Sequence, residues 1–168
     1  MDINGNELIS IPNDDMNCFG CSPHNRSGLR MNFSANDDAV FSWLTLEKQH
    51  VGFEDIVHGG ITVTMLDEVT EWTVMYFLKK MAVTKSITSD FLRAIKIDQQ
   101  LRLEGRIIEM KSERESVVEG RLYDSEEILC AKAISTMALF DDDGIKRFGT
   151  CDDHFINNIK NIFEAGRV

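Results

Sequence analysis

The sequence lacks the features of an exported, disulfide-stabilised or membrane-spanning protein. Its 168 residues include only four cysteines, too unevenly spaced for a disulfide framework, and no apolar signal segment opens the chain. The longest apolar stretch, residues 61–78, is interrupted by three acidic residues and does not suit a membrane span. These absences predict a cytoplasmic protein that does not associate with membranes.

Positive charge is also scarce. Lysine and arginine together number 18 against 28 acidic residues, which gives a net charge of -10 and a pI near 4.8. The resulting field repels polyanions, so nucleic acid is not an expected partner, and an anionic ligand would need a local basic patch. The length suits one domain whose core needs neither disulfides nor a metal.

Segments with the two-residue period of strands flank one long helical segment. Residues 29–33 and 40–46 alternate apolar with polar side chains and are separated by an Asn-Asp-Asp turn, which predicts a hairpin. After the helix, the strand pattern returns in residues 83–95, 101–110, 116–123 and 129–140. This order predicts an α+β domain in which an antiparallel sheet wraps around one helix.

The helical segment carries the residues of greatest chemical interest. His58, Gly59 and Gly60 introduce a helix that we predict from Gly59 to about Met81, apolar on most sides. The unpaired N–H groups of its first turn, at the positive end of the helix dipole, form an oxyanion-binding arrangement. Asp67 has apolar neighbours and is the best candidate for a catalytic carboxylate, although a buried, ion-paired acid is the alternative.

A cysteine-containing turn precedes the first predicted strand. Cys18, Cys21 and His24 are spaced like three zinc ligands, but a structural zinc site needs four ligands and usually a second close pair. Cys130 and Cys151 do not supply that pair. A plain turn is therefore favoured, and no metal site is predicted.

These features occur in an order that resembles a known family. A long helix introduced by His-Gly-Gly, an aspartate nine residues after that histidine and four following strands resemble the hotdog-fold acyl-CoA thioesterases, in the branch that includes phenylacetyl-CoA-type thioesterases. The upstream Cys-Phe-Gly-Cys opening is similar to one found in many members. We therefore expect a hotdog domain at 28–140, an N-terminal arm and Cys-containing loop at 1–27, and a tail with a short helix at 141–168.

The resemblance implies that two or more chains pair, as a dimer or a dimer of dimers, and that each site at the subunit interface hydrolyses an acyl-CoA without a cofactor. The amide of Gly59 or Gly60 would polarise the thioester carbonyl. Asp67 would act as nucleophile or as general base for water. A hydroxyl residue of some relatives maps onto Thr84, with Ser86 as its nearest competitor.

Besides Ser22 and Arg26 in the cysteine-containing opening, the sequence departs from the family pattern near the predicted site. Several relatives carry Asn or Gln six residues before the histidine, where this chain has Gly52, unless His50 or Glu54 replaces that contact. Glu68 directly follows Asp67, which leaves the identity of the carboxylate ambiguous. The missing side chain at position 52 favours the alternative of a non-catalytic acyl-CoA-binding or dimerisation module.

The spacing on the helix predicts how the site is assembled. Gly60 and Asp67 are seven residues apart, so at about 1.5 Å per residue they lie roughly 10 Å apart along the axis. That is too far for both to contact one thioester carbon, which indicates that they come from different chains.

Three further residues are candidates for binding CoA or for fixing the start of the helix. Arg93 and Lys96, at the end of the first strand after the helix, are candidates for binding the phosphates of CoA, with solvated surface side chains as the alternative. His58 suits a role in fixing the start of the helix better than acid–base catalysis, because no orienting partner stands at a fixed spacing.

Overall fold

The computed structural model describes residue 5 and residues 7–141, 144–145 and 151–166. The two long helices of this described part are α1 at Gly59–Leu78 and α2 at Asp153–Glu164, and a short 3-10 helix covers Lys48–His50. The strands are β1 at Ile9–Ile11, β2 at Phe33–Ala35, β3 at Val40–Thr45, β4 at Val51–Phe53, β5 at Ile56–Val57, β6 at Met81–Phe91, β7 at Gln100–Ser112, β8 at Glu115–Tyr123 and β9 at Leu129–Phe140. No helix of this described part combines the length and apolar character that crossing a membrane requires.

One antiparallel sheet and one long helix dominate the fold. Seven strands pair in the order β1-β2-β3-β7-β8-β9-β6, and β4 and β5 form a separate hairpin. Helix α1 buries Met65, Val69 and Trp72 against the sheet, and Trp72 stacks on Phe33 with ring centroids 4.4 Å apart. The predicted hotdog fold, an antiparallel sheet wrapped around one helix, is confirmed.

Strand β7 lies so close to α1 that it tolerates no side chain at the crossing. A Cβ on Gly105 would lie 2.1 Å from Thr73 Oγ1 and 2.7 Å from the carbonyl oxygen of Val69. The same strand contains a bulge, because its register with β8 shifts between Ile107 and Glu109. The glycine therefore sets the distance between helix and sheet.

Several local elements differ from the sequence-based expectations. Helix α1 ends at Leu78, three residues early, because Lys79 adopts a left-handed conformation with φ of 53°. Strand β1 is an unpredicted strand in the N-terminal arm and pairs with β2. Strands β4 and β5 form a short hairpin that the sequence pattern does not predict. The tail forms α2, while residues 142–143, 146–150 and 167–168 of the predicted tail lie outside the described residues.

Candidate functional site

The first turn of α1 leaves one backbone donor without a protein acceptor. His58 is the N-cap, and its ring Nδ1 accepts from the N–H of Gly60 at 2.9 Å. The N–H groups of Ile61 and Thr62 donate to the His58 carbonyl oxygen, at 2.9 and 3.1 Å. Of the donors that open the helix, the N–H of Gly59 alone has no acceptor among the described residues.

The hydrogen bonds of their backbone amides distinguish Gly59 from Gly60, which the sequence alone does not. The Gly60 amide is occupied by the His58 ring, whereas the Gly59 amide remains available to a ligand oxygen. His58 itself acts as a helix cap, the structural role that the sequence favours. All three residues are exposed in the single chain.

A cavity of about 290 Å³ adjoins the free amide of Gly59. Its lining includes Thr62, Phe91, Leu92 and Arg93, and the volume is close to that of small ligand pockets. Phe91 and Leu92 are 57% and 50% exposed, so the cavity is bordered by apolar surface that the single chain leaves uncovered. The predicted CoA-binding residue Arg93 thus lies beside the predicted oxyanion donor.

Asp67 lies two turns further along α1 and faces strand β6. Its Oδ1 accepts a hydrogen bond from Thr84 Oγ1 at 2.7 Å, and the carboxylate is half-buried. Thr84 Oγ1 also lies 3.3 Å from Met137 Sδ on β9. The register of β6 with β9 shifts between Thr84 and Ser86, which makes Lys85 an extra residue in the strand. Thr84, not Ser86, therefore holds the carboxylate.

Gly59 and Asp67 cannot act on one small group within a single chain. They are eight residues apart on one continuous helix, which at about 1.5 Å per residue separates them by roughly 12 Å along the axis. One chain therefore contributes an amide at one end of this helix segment and a carboxylate at the other.

Gly52 is explained by its contact with the start of α1. A Cβ at this position would lie 2.9 Å from His58 Cα and 3.2 Å from its Cβ. His50 is buried, with its Nδ1 accepting from the N–H of Glu47, and Glu54 is exposed in the β4–β5 turn.

Replacing Gly52 by alanine is expected to lower the melting temperature by about 3–10 °C, because the added methyl group requires a shift of the His58 backbone. Thermal unfolding measures the effect. Gly59→Ala is the matched control, since its Cβ would make only ordinary contacts of 3.6 Å with Phe91, and its melting temperature is expected to stay within about 2 °C of wild type. Equal shifts in the two variants would contradict this explanation.

The basic residues near the site differ in their exposure to solvent and in their ion pairs. Arg93 is exposed and lines the cavity at Gly59, whereas Lys96 Nζ pairs with Asp55 Oδ2 at 2.9 Å on the surface. Arg102 is 3% exposed and pairs with Glu104 and a second carboxylate, so it is unavailable to a solvent-facing ligand. Of these residues, Arg93 is the best placed to contact a ligand in the cavity.

Glu68 faces the cysteine loop rather than Thr84, which separates the two adjacent carboxylates. Its Oε1 lies 3.2 Å from Cys18 Sγ, and the N–H groups of Gly20 and Cys21 donate to the same sulfur at 3.3 and 3.4 Å. His24 instead pairs with an exposed aspartate. The third side chain beside the two cysteines is therefore Glu68, and not His24, whose spacing along the sequence made it a candidate.

Burial and mutual contacts shift the pKa values of this cluster. Burial raises the pKa of Glu68 to about 9, and the neighbouring charges of Cys18 and Glu71 act in the same direction. Burial, followed by the charge of Asp67, raises the pKa of Glu71 to about 8. The hydrogen bond with Cys21 lowers the pKa of Cys18 to about 5, and that contact together with burial raises the pKa of Cys21. The pKa values of the four groups therefore differ widely, with Cys18 far below the other three.

Comparison with known proteins supports the family resemblance. The family model of the thioesterase superfamily matches residues 54–131, a range that includes Gly59, Asp67, Thr84 and Arg93. A search of curated proteins found no match. The resemblance to the hotdog-fold thioesterase superfamily is thus confirmed, without singling out the phenylacetyl-CoA branch.

Solved structures share the fold at low sequence identity. A hypothetical thioesterase from Streptococcus pneumoniae with coenzyme A is 22% identical, with 61% of this chain and 82% of that chain covered and a TM-score of 0.57. A Streptococcus mutans protein bound to acetyl CoA is 20% identical, with 65% and 87% covered and a TM-score of 0.59. A thioesterase from Haemophilus influenzae is 16% identical, with 67% and 80% covered and a TM-score of 0.61.

Proposed function

Because the chain carries a hotdog domain that matches the thioesterase superfamily, we propose that it hydrolyses an acyl-CoA to a free acid and CoA. The observation that carries the proposal is the half-buried carboxylate of Asp67, held by Thr84 at 2.7 Å. Similar structures contain coenzyme A or acetyl CoA, and the S. pneumoniae protein has been crystallised with an aspartate and with a threonine replaced by alanine. These ligands support an acyl-CoA as the proposed substrate class.

The proposed site is completed by a second copy of the chain. Strand β6, which carries Thr84, is an edge of the sheet, and within the described residues it pairs only with β9. An edge strand of 11 residues is a ready surface for pairing with another chain. The exposed side chains of Phe91 and Leu92 at its end favour a covered interface. Such pairing brings Gly59 of one chain toward Asp67 of the other.

The proposed chemistry uses water, the thioester and groups of the protein. Asp67 accepts a proton from water, whose oxygen attacks the acyl carbon, and the N–H of Gly59 stabilises the oxyanion. Collapse of this intermediate expels the CoA thiolate, which recovers the proton from Asp67. In the alternative route, Asp67 attacks the carbon itself, CoA leaves and water opens the anhydride. Thr84 occupies Oδ1 in both routes and leaves Oδ2 to react.

Arg93 supports the binding of CoA in this arrangement. Its guanidinium borders the cavity at Gly59, and a guanidinium binds phosphate oxygens through several N–H groups in one plane. Lys96 is the weaker candidate, because its ammonium group already pairs with Asp55.

Thr84→Val is expected to lower kcat by about 10- to 100-fold, because the carboxylate loses a charge-assisted hydrogen bond that orients it. Steady-state kinetics with an acyl-CoA measures the loss. Ser86→Ala, on the same strand beyond the bulge, is the matched control and is expected to stay within about 2-fold of wild type. A larger loss in Ser86→Ala than in Thr84→Val would reverse the assignment of the hydroxyl.

A panel of acyl-CoAs, with released CoA detected by a thiol reagent, tests the proposed activity. We expect release above the spontaneous rate for at least one acyl group. The second candidate function is an acyl-CoA-binding module without turnover, favoured by Gly52, which supplies no side chain to the reacting centre. Saturable acyl-CoA binding without CoA release across the panel would support the binding module and contradict the proposed hydrolysis.

A further inference from the structure

A second cluster of reactive side chains lies beside α1, on a different face of the helix from Asp67. The Sγ atoms of Cys18 and Cys21 and a carboxylate oxygen of Glu68 all lie within 4.8 Å of one another. Two of these groups come from the N-terminal loop and the third from the helix, 47 residues further along the chain than Cys21. The three side chains are therefore brought together by the tertiary fold.

The loop is shaped to admit the glutamate. A Cβ on Gly20 would lie 2.2 Å from Glu68 Cδ and 2.3 Å from its Oε1, so the carboxylate occupies the space that any other residue would fill. The N–H groups of Gly20 and Cys21 point at Cys18 Sγ. Two backbone donors directed at one sulfur favour its thiolate form, which is the form that ligates metals.

The cluster borders an acidic cavity of about 100 Å³. Asp15 and Glu71 line this cavity together with the two cysteines and Glu68, and the rest of the wall is apolar except for Asn158. No lysine, arginine or histidine lies in this described lining. A bound cation would offset the charge of these acidic groups, which share one cavity without a basic side chain in the described lining.

We propose that Cys18, Cys21 and Glu68 bind one divalent cation of the zinc class, which links the N-terminal loop to α1. Two thiolates and a carboxylate are ligands that zinc accepts, at about 2.3 Å for sulfur and about 2.0–2.2 Å for oxygen. Donors bound to one ion at these distances lie at most about 4.6 Å apart, and the three ligand atoms here all lie within 4.8 Å of one another before any ion draws them together. Water, Asp15 or Glu71 completes the coordination.

This site is independent of the proposed hydrolysis. Glu68 lies about 100° around the helix from Asp67 and faces the cysteine loop, so the ion is held apart from the carboxylate that Thr84 orients. Its effect is to tie the loop to the helix that carries Asp67. Bound zinc is therefore expected to raise the melting temperature by about 5–10 °C relative to the chelator-treated protein.

Metal analysis of the intact protein tests the proposal. Protein treated with chelator and then dialysed against equimolar Zn²⁺ is expected to retain about one ion per chain, and Co²⁺ is expected to produce the thiolate charge-transfer absorption of a tetrahedral site. The double variant Cys18→Ser, Cys21→Ser is expected to lose both signals. The matched control Cys130→Ser, Cys151→Ser is expected to keep both, because those two thiols lie outside the cluster.

X-ray absorption of the zinc-loaded wild type requires no variant to fold. We expect two sulfur neighbours at about 2.3 Å and lighter neighbours at about 2.0–2.2 Å. Glu68→Gln is expected to weaken zinc binding by at least about 10-fold. Retention of equal zinc by the cluster variant and the control variant, a first shell without sulfur, or a wild-type chain that binds no zinc overturns the proposal.

Discussion

Asp67→Asn is expected to lower kcat for acyl-CoA hydrolysis by about 10²- to 10⁴-fold, the range that a positioned general base supplies. Asparagine has nearly the shape of aspartate and keeps an oxygen for the hydrogen bond from Thr84, so the half-buried site remains filled. It cannot accept the proton of the attacking water, nor form an anhydride. Steady-state kinetics on the best acyl-CoA of the panel, with circular dichroism to verify folding, measures the effect.

Asp90→Asn is the matched control for this substitution. Asp90 lies on the same β6 strand as Thr84 but is exposed and pairs with Lys132 at 3.5 Å. Its loss is expected to leave kcat within about 2-fold of wild type. Full turnover by a folded Asp67→Asn protein would remove the carboxylate from the mechanism.

Gly59→Pro is expected to lower kcat by about 10²- to 10³-fold, the effect of removing one oxyanion donor. Proline deletes the backbone N–H that we assign to the oxyanion and is well suited to the first position of a helix. His58 already has the extended conformation, with ψ of 133°, that a residue before proline prefers. The helix is therefore expected to form normally while the donor is lost.

Gly59→Ala separates the loss of the donor from the added bulk. Alanine retains the N–H, and its Cβ would make ordinary contacts with Phe91, so kcat is expected to stay within about 3-fold of wild type. Equal losses in the proline and alanine variants would show that the space at Gly59, and not its amide, determines the rate.

Hydrophobic periodicity accounts for the parts of the fold that were predicted correctly. Helix α1 and the four strands that follow it are long and strongly patterned, and their predicted positions agree with the structure to within a few residues. Strand β1 has only three residues and acquires its strand conformation by pairing with β2, which its own sequence does not indicate. Leu29 and Met31 alternate like strand residues but are buried in an irregular segment.

The candidate site was partly predictable because its main residues lie on one helix. Spacing on α1 is enough to separate Gly59 from Asp67, whereas the choice between Gly59 and Gly60 required the ring position of His58. The contact between Asp67 and Thr84 joins helix to strand, and Thr84 was singled out only through the family resemblance, without a predicted partner.

The cluster around Cys18 illustrates what spacing along the chain leaves open. The cysteine pair has the close spacing of metal ligands, and the nearest histidine, His24, was the natural third candidate. Glu68 takes that place because α1 passes beneath the loop at Gly20. A side chain brought in by tertiary packing has no signature in the local sequence.

A mixed dimer tests most directly whether the active site spans two chains. Asp67→Asn and Gly59→Pro chains, given different affinity tags and co-expressed, are isolated as the heterodimer by both tags. One of its two sites then combines an intact Gly59 with an intact Asp67, so the heterodimer is expected to recover about half of the wild-type activity. A heterodimer as inactive as its two parent homodimers would contradict the shared site.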